Sequence, residues 1–158
     1  MGTINSLPTE RVAVLGVIDP DAHTHNGGTA SDGVYASDWG SLAIFGSVLA
    51  QVLVGTMASS STVDVKLQQA SDSSGTGAKD ITGKAITQLT QAGTDSDKQA
   101  LINCRADELD ADNSFTHVRI HMTVGTAASD SGCVLLGFDA RNAPASDNDL
   151  TSVDEIVS

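Results

Sequence analysis

The chain has 158 residues, which suits one domain, and it carries 20 acidic against 8 basic residues for a formal charge of −12. That charge repels phosphate backbones and anionic lipid headgroups, so nucleic acid and membrane surfaces are excluded as expected partners. No apolar run approaches the ~20 residues that span a bilayer, and the longest, LAIFGSVLAQVLVGTMA at 42–58, is interrupted by Gly46, Ser47 and Gln51.

The N-terminus, MGTINSLPTERV, lacks a basic segment followed by an apolar core and is not read as a secretion signal. Residues 1–9 are expected to be an arm. Residues 10–18, ERVAVLGVI, are rich in β-branched side chains and predict a strand ending at Pro20. Residues 19–33, DPDAHTHNGGTASDG, read as a polar loop. Two strands are expected within 34–55, with the break near Trp39-Gly40 or near Gly46. Residues 62–69, TVDVKLQQ, alternate, with Val63, Val65 and Leu67 on one face and Asp64, Lys66 and Gln68 on the other, the pattern of a half-buried strand.

A second alternating strand is predicted at 115–124, with Val118, Ile120, Met122 and Val124 against His117, Arg119 and His121. Between the two alternating strands lie strand-like segments at 80–90 and 98–105, then a connection at 106–114 with room for one helical turn. The last long strand is 132–141, GCVLLGFDAR, and the tail from Asn142 is polar and acidic. About eight short strands with Gly, Ser and Asp turns, and no segment of helical period, predict an all-β antiparallel sandwich, the jelly roll being one form of it. The expected domain is 10–141, flanked by extended N- and C-terminal arms, the latter at 142–158.

The stretch SDSSGTGAKDITGKAITQLT at 71–90 contains Gly83-Lys84 and superficially resembles a phosphate loop. The required pattern is Gly, four residues, then Gly-Lys-Ser/Thr at the start of a helix. Here Ala78 stands where the first glycine belongs, Ala85 follows the lysine, and the next residues are β-branched. A hairpin is expected instead. Gly75 and Gly77 would supply positive φ, and Asp72 and Ser73 would bond their own backbone.

His23 and His25, near Asp19 and Asp21, are the strongest metal candidates, weighed against a solvated loop with incidental histidines. No metal or other cofactor is assigned. His117 and His121 lie ~13 Å apart on a strand, too far to share one ion. Cys104 and Cys133 are expected as buried free thiols, with a disulfide between neighbouring strands as the other reading. Trp39 is read first as a core residue. Together with Tyr35, its alternative is a contact surface. No nucleophile–base constellation is found, so no catalytic residue is assigned.

The runs VDVKLQQASDSSGTGAKDITGKAITQLT, FTHVRIHMTVGTAAS and LLGFDARNAPASD resemble a family of tailed-phage head decoration, or cement, proteins over roughly residues 10–157. The resemblance implies a non-enzymatic structural protein on the outer surface of the virion, assembled in the host cytoplasm. It would bind the phage major capsid protein and other copies of itself. The loop DPDAHTHNGG departs from the family, so no role for its histidines is carried over. Candidate contacts are Leu7, Val12, Val14, Tyr35, Trp39 and Ile156. Two alternatives stay open: a head–tail connector or tail component, and a glycan- or calcium-binding sandwich using Asp19, Asp21 and Asp32.

Overall fold

A computed structural model describes residues 6–25 and 33–157. Ten strands form two antiparallel sheets: β1 (Val12–His23), β2 (Val34–Ala36), β3 (Gly40–Ser41), β4 (Phe45–Met57), β5 (Thr62–Ala70), β6 (Lys79–Ala85), β7 (Leu89–Thr90), β8 (Gln99–Arg105), β9 (His117–Gly125) and β10 (Ser129–Ala140). One sheet has the order β1-β10-β4-β8. The other has β2-β9-β5-β6, with β3 also on β9 and β7 also on β5.

β2 and β3 pair with successive parts of β9, and β6 and β7 with successive parts of β5, so each couple is one interrupted strand. Eight strands then remain, pairing first with last (β1 with β10), second with seventh (β2 with β9), third with sixth (β4 with β8) and fourth with fifth (β5 with β6). This nested pairing, rolled so that β10 meets β4 and β9 meets β5, is the jelly roll.

The alternation read at 62–69 and 115–124 holds. Val63, Val65 and Leu67 on β5 and Val118, Ile120, Met122 and Val124 on β9 are buried. They face Leu15, Val48, Ala50, Val52, Cys104, Cys133 and Leu135 from the other sheet. Both cysteines are buried free thiols. Burial pushes Cys104 up to about 11 and Cys133 up to about 12.

Several boundaries move. β1 does not stop at Pro20 but continues to His23. Its register against β10 shifts between Ile18 and Asp21, so the proline sits at a bulge on an edge strand, where no ladder donor is needed. The break within 34–55 falls at 37–39 and again at 42–44, because Ser37 caps Ile120 and Leu42 turns inward to Thr116. Residues 106–114 hold two 3-10 turns, Ala106–Glu108 and Ala111–Asn113.

The C-terminal tail is not a free arm along its whole length. A 3-10 turn at Ala145–Asn148 buries Ala145. The Val14 N–H then donates to Asp149 Oδ1 (2.6 Å), and the Leu150 N–H donates to the Val14 carbonyl (2.9 Å). The tail thereby covers part of the open edge of β1. Of the N-terminal arm, residues 1–5 lie outside the described residues. Pro8–Glu10 form a single 3-10 turn, with the Leu7 N–H donating to Glu10 Oε2.

Candidate interaction surfaces

The Gly83-Lys84 pair is part of edge strand β6. The β5–β6 register shifts beside it, between Lys66 and Gln68, and Gly83 takes φ +76°. Lys84 reaches Glu108 Oε1 at 2.8 Å and holds its carboxyl below the usual range. The preceding loop is the expected hairpin. Gly75 and Gly77 have positive φ, and Asp72 Oδ1 accepts from the Ser74 and Thr76 N–H groups.

The histidine–aspartate group does not converge. His23 is 8% exposed, and its Nε2 donates to the Asp19 carbonyl at 2.9 Å, so this nitrogen carries the proton. Its ring packs against Tyr35 with centroids 4.0 Å apart. Asp19 and Asp21 are exposed, and Asp21 Oδ1 accepts from the Ala22 N–H. Asp32 lies outside the described residues. No cluster of three or more His, Cys, Asp or Glu side chains able to hold a metal occurs among the described residues. Among the described residues no helix is long and apolar enough to cross a membrane.

The outer faces of the two sheets differ sharply. On the β2-β9-β5-β6 sheet the outside is polar and internally bonded. Lys66 pairs with Asp80 at 2.7 Å, Gln68 Oε1 accepts from Arg119 Nε and Nη2, and Gln88 donates to Asp64 at 2.6 Å. Arg119 also stacks on Trp39, 4.5 Å from the ring centroid, while Gly75 presses on the same indole. Trp39 is therefore half-buried outside the core, contrary to the first reading, because the hairpin loop and a guanidinium cover it. His121 is held below the ordinary histidine range by burial first, then by the charges of Lys66 and Arg119. Tyr35 is engaged internally, its hydroxyl bonded to the Thr24 backbone.

The β1-β10-β4-β8 sheet is largely apolar on its outside as well as its inside, most of all across β1, β10 and β4. Registered rows run across it: Val14, Leu136, Leu49 and Asn103; Val12, Phe138 and Ser47; Val17, Val134, Gln51 and Leu101. Most of these side chains are half-buried. Leu53 is 43% and Leu101 59% exposed. Arg105, opposite Ser47, is the charged member of these rows. A sheet face destined for water carries polar residues, and a contiguous apolar one marks an interaction surface.

Of the candidate contacts named from the sequence, Val12 and Val14 lie on this face, while Leu7 and Ile156 are exposed in the terminal segments. Leu49, Leu53, Leu101, Val134, Leu136 and Phe138 share the face and were not singled out from the sequence. Their signal was present: β4 and β10 read as near-continuous apolar runs, and such strands are covered on both faces.

No protein-family model and no curated protein matches the chain. Solved structures do match in arrangement. The cryo-EM structure of Broad Bean Stain Virus is 16% identical over 90% of this chain and 93% of that one, with a TM-score of 0.43. The infectious bursal disease virus VP2 subviral particle is 10% identical over 91% of this chain but only 36% of its own, with a TM-score of 0.42. The xylan-binding module CBM15 is 14% identical over 84% of this chain and 99% of its own, with a TM-score of 0.35.

Proposed function

We propose that this protein is a structural component of a virion, docking on the outer surface of an icosahedral phage head and cementing neighbouring major capsid proteins. The observation that carries the reading is the largely apolar outer face of the β1-β10-β4-β8 sheet, set in a chain whose other sheet carries polar pairs such as Lys66–Asp80 and Arg119–Gln68 on its outside. Such a face requires a protein partner. The resemblance of residues 10–157 to phage cement proteins favours a major capsid protein as that partner. The charge of −12 suits the outside of a shell rather than its DNA-facing interior.

Each copy need bury only about 800 Å², because many contacts on a closed shell act together. The exposed Leu7 and Ile156 extend the contact through the terminal segments. The reading assigns the protein no catalytic role.

A reconstruction of particles carrying this protein tests it. A cement protein occupies the outer surface in hundreds of copies, with the β1-β10-β4-β8 face against the capsid protein. A single ring of copies at one vertex would establish the connector reading instead, and absence from particles would overturn both. Deleting residues 1–9 should lower occupancy, and unchanged occupancy would remove that arm from the contact.

A further inference from the structure

Among the described residues, strand β8 is the outer strand of its sheet and pairs with β4 alone. Sheet edges are normally blunted by charge, proline, a bulge or a covering segment, since a bare edge templates pairing with another chain. The opposite edge, β1, has such guards: Pro20 lies at a bulge between Asp19 and Asp21, and the tail bonds Val14. β8 has them only at its end, where Arg105 is charged and Glu108 accepts from the Arg105 N–H (2.8 Å); Gln99–Asn103 have none. Its seven residues, QALINCR, contain no proline and no charge before Arg105. Its register against β4 is unbroken, and Leu101 stands 59% exposed near its middle.

We propose that β8 pairs antiparallel with β8 of a second copy about a two-fold axis at Leu101, joining two four-stranded sheets into one of eight. An antiparallel edge pair is self-complementary, as a two-fold interface demands. Charge selects the register. An axis at Leu101 sets Gln99 opposite Asn103 and Arg105 opposite Asp97 of the second copy, twice over by symmetry. An axis one residue on, at Ile102, would oppose Asp97 to Asp107 and repel.

Arg105 now forks to Asp107 (Nε–Oδ1 2.9 Å) with both side chains 68% exposed, an arrangement weak enough to be exchanged. Pairing would also make the apolar outer faces of the two copies continuous through Leu101 and Leu53. The dimer concerns the free protein and stands apart from the virion reading.

The test is disulfide capture of the purified full chain. Residues directly opposed across an antiparallel pair have Cα atoms ~4.5–5.5 Å apart, within reach of a disulfide. Leu101→Cys should therefore link to itself under mild oxidation. Leu53→Cys, on the same face but one strand inward, should not, and the buried native thiols give no background. Arg105→Glu added to Leu101→Cys should lower the linked yield about fivefold, and Asp97→Lys should then restore it. Equal linking at positions 101 and 53, or a yield unmoved by Arg105→Glu, overturns the proposal. A chain that loads onto particles yet fails to link at position 101 also overturns it and leaves the virion reading intact.

Discussion

Leu135 and Leu136 are adjacent residues of β10 with opposite fates, and replacing each by alanine tests the two faces of the sheet. Leu135 is 0% exposed, in register with Gly16 and Ala50, and its Cδ2 would lie 3.3 Å from a Cβ added to Gly40. Those neighbours carry little side chain that could relax into a hole. Leu135→Ala should thus fall in the upper part of the large-to-small range, at about 4 kcal/mol. For a chain of this size that lowers Tm by about 8–16 °C.

Leu136 points outward and is half-buried, so only part of its transfer free energy is at stake, about 1 kcal/mol or less. Urea titration followed by the fluorescence of Trp39, the sole tryptophan, reads both values. Particle loading should reverse the order: Leu136→Asp should abolish occupancy with Tm nearly unchanged. A Leu136→Ala cost matching that of Leu135→Ala would mean the face is already covered by its own chain. Normal loading of Leu136→Asp would remove the face from the capsid contact. Either result defeats the reasoning.

Gly75→Ala should destabilise by about 1–3 kcal/mol, since φ is +84° and the new Cβ would meet Trp39 Nε1 at 2.9 Å, while Gly83→Ala, with open space around it, carries only the backbone cost; thermal melts compare the two. Asp149→Ala frees the Val14 N–H and should cost about 1–2 kcal/mol, with faster proteolysis of the tail as the second readout. The thiols set an alkaline limit. Unfolded, they ionise near 9.0, but folded they hold their protons to about 11 and about 12, so stability should decline as pH rises above 9. Replacing both by alanine should flatten that limb, and neither should react with a thiol reagent in the native protein at pH 8. His121 works on the acid side. With its folded value depressed below 6.5, the unfolded chain takes up that proton first, so stability should fall as pH drops below 6.5; His121→Gln should reduce this early limb, and His117, also depressed by burial, supplies the rest.

The sequence by itself determined the fold class and one strand pairing, the hairpin of β5 and β6. Two-residue alternation at 62–69 and 115–124 places one set of side chains in the core whatever the neighbours are, because successive side chains on a strand point to opposite faces. The turn chemistry of Asp72, Gly75 and Gly77 is equally local, and it was enough to read 71–78 as a hairpin rather than a phosphate site.

What only the tertiary structure decided depends on which strands become neighbours. Pro20 can lie within a strand only because β1 is an edge with a bulge there, and the tail is held only because that edge offers Val14. Trp39 leaves the core because Arg119 and a distant hairpin cover it. The outward rows of Val12, Val14, Leu49, Val134, Leu136 and Phe138 form a surface only when three strands far apart in sequence are laid side by side. Runs such as VLLGF tell that both faces of a strand shun water, but not what covers the second one. Burial by the protein's own chain and burial by a partner leave the same mark in the sequence, and only the arrangement of the sheets separates them.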